Sequence, residues 1–331
     1  MKYFRYYPWG LQLLMFVLTT FTLASFGIWC LGMLSPQLAG LSLTQVTSIN
    51  EQSPYYLVKV ALIVQGISSL FIFAVPSLLF SYFTHPKWPG YLGLRKPGNL
   101  WQPVLAVGLI LGAMPLLMGI ESLISQIDFG ADVKQNQART EGVMKAFLKA
   151  PAFIDFIRIF IVMAIIPAVG EELFFRGILM RFATRAFNGT GPTPQVDRSL
   201  RMATLLSALV FAAVHSNVYG LFSIFIAGVL LSTIYFLTGS IWCSIIAHMS
   251  FNGSQVILSY LGNNNAGLKS FLSSGQMPLW LLATGTAVFS MSLYLLIKIK
   301  TPLPPTWTND FDEPDPPMTN DTNDDLLPIG S

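Results

Sequence analysis

Residues 157–184 read IRIFIVMAIIPAVGEELFFRGILMRFAT. As a helix this stretch is long enough to cross a bilayer core of about 30 Å, which takes about 20 residues. Its apolar run nevertheless contains two adjacent glutamates, Glu171 and Glu172, and then Arg176. Ionisable groups at that depth are costly, so each one asks for a reason. Pro167 and Gly170 also fall inside the stretch.

Seven further apolar runs flank it, at roughly 11–34, 58–83, 102–124, 201–216, 220–238, 241–260 and 279–299. They lack the alternation of a β-barrel and show no internal repeat of the transporter kind. The expectation is an all-α polytopic membrane protein with about eight transmembrane helices. Composition agrees. Charged residues make up 11% of the 331-residue chain and the set AVILMFWYC 53%, against about 25% charged in a soluble protein. So little charge cannot cover a soluble surface, and it excludes a cytosolic enzyme, a disordered chain and a nucleic-acid binder. The first run, of about 24 apolar residues, exceeds a signal-peptide core and reads as an uncleaved anchor. Cys30 and Cys243 are the only cysteines, which leaves no disulfide framework and no cysteine-based metal site.

The net charge of +3 is unevenly distributed. Residues 301–331 hold seven of the 16 acids and none of the 19 bases, so residues 1–300 carry about ten net positive charges. That acidic tail, rich in Pro, Asp, Asn and Thr, reads as disordered. An even number of spans puts both termini on one side. Placing Lys2, Arg5, Lys87, Arg95, Lys96, Arg176, Arg181, Arg185, Arg198, Arg201, Lys298 and Lys300 there makes it the cytoplasm. The expected location is the plasma membrane, multi-pass, with lipid as one partner. In the longest external loop, 125–152, Val143, Met144, Phe147 and Leu148 share a helical face opposite Lys145 and Lys149, which predicts an interfacial helix. His85, before Pro86, reads as a solvated turn residue. The chain divides into N-terminal helices and an external loop (1–150), a polar-residue core (151–260), a last span (261–300) and the tail (301–331).

Two more polar clusters join Glu171, Glu172 and Arg176. One is Phe211 and His215 in FAAVH, the other His248 and Asn252 in HMSFN. Each cluster contains a four-residue step, which places both members on one helix face. At 1.5 Å per residue, Glu171 and His215 lie about 21 Å along continuous helices from Arg185 and Arg201. The set suits hydrolysis of a peptide bond. A carboxylate accepts a proton from water, an imidazole holds that water or shuttles the proton, and imidazole and amide N–H groups stabilise an oxyanion. Arg176 can pair with Glu172 and leave Glu171 as base. Taken singly, the Glu172–Arg176 pair, a lone histidine and Phe211 each have a packing explanation; adjacent glutamates with two imidazoles do not.

These three motifs, E-E-x-x-x-R, F-x-x-x-H and H-x-x-x-N, resemble in order those of the CPBP family of intramembrane proteases, which includes the type II CAAX prenyl endopeptidase. The resemblance covers about 155–260. It implies an eight-helix fold with a catalytic cavity open toward the cytosol. It further implies that Glu171 and His215 activate water, that His248 and Asn252 form an oxyanion hole, and that Glu172 and Arg176 support them, acting on a membrane-anchored or prenylated peptide or protein. No cofactor is required by that mechanism. Glu171, His215 and His248 could alternatively hold a divalent metal such as Zn²⁺ with one position open, although no H-E-x-x-H string is present. Two other classes stay open on the residues: a non-proteolytic binding or immunity-type factor, and a proton-coupled transporter.

Overall fold

The computed structural model describes residues 3–187, 196–263, 265–274, 277–301 and 303. The segment 188–195, which includes most of the turn expected near 187–197, lies outside the described residues, as do Lys2 and the acidic stretch from 304. Among the described residues there are helices and turns but no strands. The long helices are α1 (Trp9–Ala39), α2 (Tyr55–Thr84), α3 (Gln102–Ile124), α4 (Ala131–Phe147), α5 (Phe153–Phe187), α6 (Val196–Val214), α7 (Leu221–Thr238), α8 (Ile241–Asn263) and α9 (Leu279–Lys298).

Six of these, α1, α2, α3, α5, α7 and α9, are long and apolar enough to cross a membrane. The chain is an all-α polytopic membrane protein. The two other expected spans form α6 and α8, at 19 and 23 residues. Both are less apolar. Asp197, Arg198 and Arg201 open α6, while His248, Asn252 and Gln255 interrupt α8. Helix α8 packs against α3, α5 and α7, and α6 against α5 and α7. A helix that meets protein on several sides does not need a fully apolar surface.

The register of α5 is not the continuous one the sequence suggests. The helix widens into π turns over Ile161–Ile165 and again over Leu173–Leu179. The first bulge immediately precedes Ile166-Pro167, and a similar bulge in α2, Leu70–Ala74, immediately precedes Val75-Pro76. Proline lacks an N–H and clashes with the carbonyl four residues back, and a wider turn relieves that clash. Next to the bulges, Gly170 brings α5 against α2. A Cβ there would stand 3.3 Å from Phe73 Cβ and 3.4 Å from the Ala74 nitrogen.

One end of the bundle gathers the N-terminal segment, the 85–102 connection and the C-terminal ends of α7 and α9. Ser240 Oγ donates to the Arg95 carbonyl at 2.5 Å, Thr301 N to Leu237 O at 2.8 Å, and Gln102 Nε2 to Ile299 O at 2.9 Å. His85 is half-buried there with its ring stacked on Tyr91, and its Nε2 lies 3.3 Å from Arg5 Nη1, so it is not simply solvated. At the opposite end, the helix expected within 125–152 forms as α4. Ala146 and Phe147 are buried in a cluster with Leu31, Val46 and Val58, and Val143 and Leu148 pack on its edge. Lys149 Nζ bonds the Glu51 carbonyl. Leu31 of α1 and Val58 of α2 thus cover part of the apolar face of α4; Met144 stays exposed. At the start of α4, the Gly130 N–H and then the Lys134 ammonium hold the Asp128 carboxyl below its usual range.

Candidate active site in the helix bundle

The polar residues of α5 meet α6, α7 and α8 in the interior. Glu172 is fully buried and is the last residue before the widened turn of α5. Arg176 Nη1 donates to Glu172 Oε1 at 2.8 Å, as the four-residue step predicts. The rest of the guanidinium is also satisfied: Nη2 donates to the Gly228 carbonyl at 2.8 Å and Nε to Ser232 Oγ at 3.3 Å, both on α7. Gly228 also lets α7 pack closely on α6, because a Cβ there would stand 3.1 Å from Ala208 Cα.

Helix α8 supplies the remaining donors to Glu172. Ser244 Oγ lies 2.5 Å from Oε2, and His248 Nδ1 lies 2.9 Å from Oε1. A carboxylate only accepts, so His248 carries a proton on Nδ1 and turns Nε2 the other way. That nitrogen faces Glu171, with Nε2 and Oε2 3.8 Å apart, too far for a direct hydrogen bond. Glu171 Oε2 is buried and has no hydrogen-bond partner among the described residues. The two adjacent glutamates therefore differ sharply. Glu172 is held by three donors, and Glu171 presents an unsatisfied oxygen beside an imidazole.

Phe211 forms one wall. Its ring is buried, packs edge-on to Phe175 at 5.1 Å, and lies 4.9 Å from the Arg176 guanidinium carbon. Both imidazoles touch it, His215 at 4.7 Å and His248 at 5.9 Å between ring centroids. Helix α6 ends at Val214, and Ser216 takes a positive φ of 50°. His215 therefore lies in the turn after the helix and is exposed, where the sequence suggests a continuous span through residue 216. Its Nδ1 donates to the Phe211 carbonyl at 2.7 Å, which leaves Nε2 open. Asn252 sits one turn beyond His248 on α8 and is half-buried.

These residues fall in one stretch that matches a family model. Residues 153–254 match the family described as type II CAAX prenyl endopeptidase Rce1-like. Comparisons with curated proteins and with solved structures each gave no match. The Rce1-like segment contains Glu171, Glu172, Arg176, Phe211, His215, His248 and Asn252, in agreement with the resemblance carried by the three motifs. It does not gather the alternative metal ligands. Among the described residues, no group of three or more His, Cys, Asp or Glu side chains is spaced to hold a metal ion. His248 Nδ1 bonds Glu172 and His215 Nδ1 bonds the Phe211 carbonyl, so Nε2 is the remaining ring nitrogen of each. As spaced, Glu171, His215 and His248 do not form such a group.

Three contributors to the candidate site are silent in the sequence. Ser244, Ser232 and the Gly228 carbonyl complete the hydrogen bonding of Glu172 and Arg176. Serine and glycine are common in membrane helices, so nothing in composition marks them. Ser244 stands one helical step before His248, on its face, and that spacing is the only sequence signal for it.

Proposed function

We propose that this protein is an intramembrane endopeptidase that hydrolyses a peptide bond in a membrane-anchored or prenylated substrate by activated water, without a required cofactor. The observation that carries the reading is the contrast between the two glutamates: a saturated Glu172 and a buried Glu171 oxygen left unbonded 3.8 Å from His248 Nε2. The match of residues 153–254 to the Rce1-like family supports the peptidase class.

In the proposed reaction Glu171 takes a proton from water, and the water oxygen attacks the scissile carbonyl carbon. His215 Nε2, free to accept or pass a proton, assists that transfer. His248 and the Asn252 amide one turn on line the position of the developing oxyanion. Collapse breaks the C–N bond, and Glu171 returns the proton to the leaving amine. Glu172 and Arg176 fix His248, and Phe211 fills the wall between both imidazoles. The bilayer delivers an anchored substrate to the bundle, and both termini face the cytoplasm of a plasma-membrane protein, a placement supported by the excess of Lys and Arg in the connections on that side.

The test is cleavage of a farnesylated peptide ending in a CaaX sequence, alongside its non-prenylated twin, by the full-length protein in liposomes. Glu171→Gln should lower turnover about 10²- to 10⁴-fold, the range of a lost general base. Wild-type turnover by that variant, properly folded, sinks the assignment. Stoichiometric zinc lost together with activity sinks the metal-free version.

A further inference from the structure

The geometry points to Ser244 as a positioning residue that sets which nitrogen of His248 faces Glu171. For its activity arm the inference rests on the peptidase reading; its structural arm stands alone.

The two oxygens of Glu172 are held unequally. Oε1 receives both Arg176 Nη1 at 2.8 Å and His248 Nδ1 at 2.9 Å. Oε2 receives Ser244 Oγ alone, at 2.5 Å. Two donors anchor Oε1, but the last torsion is broad and about two-fold, so Oε2 is less tightly held. A donor on Oε2 fixes it. The Ser244 hydroxyl has one proton and two acceptors in reach, Glu172 Oε2 and the Leu231 carbonyl at 3.1 Å. The shorter, charged contact takes the proton, because hydrogen bonds to ionised acceptors are the stronger ones.

The placement is built into α8. Ser244 and His248 are four residues apart on one face, both buried, and reach the same carboxylate from successive turns. Ser244 thus couples the rotamer of Glu172 to the ring that Glu172 orients. Outer-shell hydrogen bonds of this kind keep an imidazole in one tautomer. Once Ser244 is lost, Oε2 is buried without a donor, Glu172 can turn away from Nδ1, and His248 can carry its proton on either nitrogen.

The experiment uses full-length protein in detergent with ¹⁵N-labelled histidine. The chain has three histidines, so the ring signals can be assigned with His85→Gln and His215→Gln controls. Wild-type His248 should show a protonated Nδ1. Ser244→Ala, and Ser244→Cys as a same-volume variant with a weaker donor, should mix the tautomers; Ser244→Thr should keep the wild-type signature. On the farnesylated peptide, Ser244→Ala should lower kcat about 10- to 100-fold with KM little changed, and Ser244→Thr should restore it. An unchanged His248 signature in both Ala and Cys variants overturns the inference, whatever the activity does. A shifted signature with wild-type kcat overturns its catalytic part. Should the wild type cleave no peptide, the peptidase reading fails, and the nitrogen spectra still decide the role of Ser244.

Discussion

The contact of α5 with α8 and the contact of α3 with α9 are both buried helix pairs, made of opposite materials. The first is a polar lattice in which Glu172 receives Arg176, Ser244 and His248. The second is a backbone-to-backbone approach. A Cβ on Gly112 would stand 2.6 Å from the Phe289 nitrogen, one on Gly285 2.8 Å from the Gly112 carbonyl, and one on Gly108 2.5 Å from Ser292 Oγ. Lipid tails are as apolar as the side chains they replace, so helix pairing in a membrane needs close packing or hydrogen bonds. This molecule uses packing where it needs only cohesion. It uses hydrogen bonds where chemical groups must be aimed.

That division makes different failures at the two places. Arg176→Ala should do the most damage, because it leaves a fully buried carboxylate without its countercharge. Breaking such a pair costs about 3–5 kcal/mol. Thermal unfolding in detergent should show it, and peptidase activity should vanish with it. Gly112→Val should come next. Its added carbons meet backbone, not a yielding side chain, and overpacking costs about 1–3 kcal/mol. Here stability should fall while the molecules that remain folded keep wild-type kcat; a fall in kcat per folded molecule would mean the two contacts are coupled. Phe211→Leu should cost least, about 0.5–2 kcal/mol for the lost guanidinium–ring contact. Its sharper effect should be on turnover, because both imidazoles lean on that ring. Unchanged turnover would reduce Phe211 to packing.

The polar lattice was largely legible in the sequence and the glycine contact was not. Glu171, Glu172, Arg176, His215 and His248 stand out because charge and imidazole are rare in apolar runs. The Glu172–Arg176 pair follows from helical spacing alone, since both partners lie on one helix. Gly112 and Gly285 look like any other glycines until two backbones are seen to touch. Counting 1.5 Å per residue presumes unbroken α-helix, and α5 contains two π segments while α6 stops before His215.

By itself the sequence determined an all-α membrane protein, a set of costly polar groups and their partners one turn away. These follow from the price of burying charge and from the period of a helix, both local properties. Only the tertiary structure decided that His248 stands beside Glu171 while His215 lies at the end of its helix, that Ser244 closes the network, and that α4 docks on the bundle. Those facts depend on how each helix is rotated and offset against its neighbours. Glycine contacts and π turns far apart in the chain set those rotations, and no spacing within one helix encodes them.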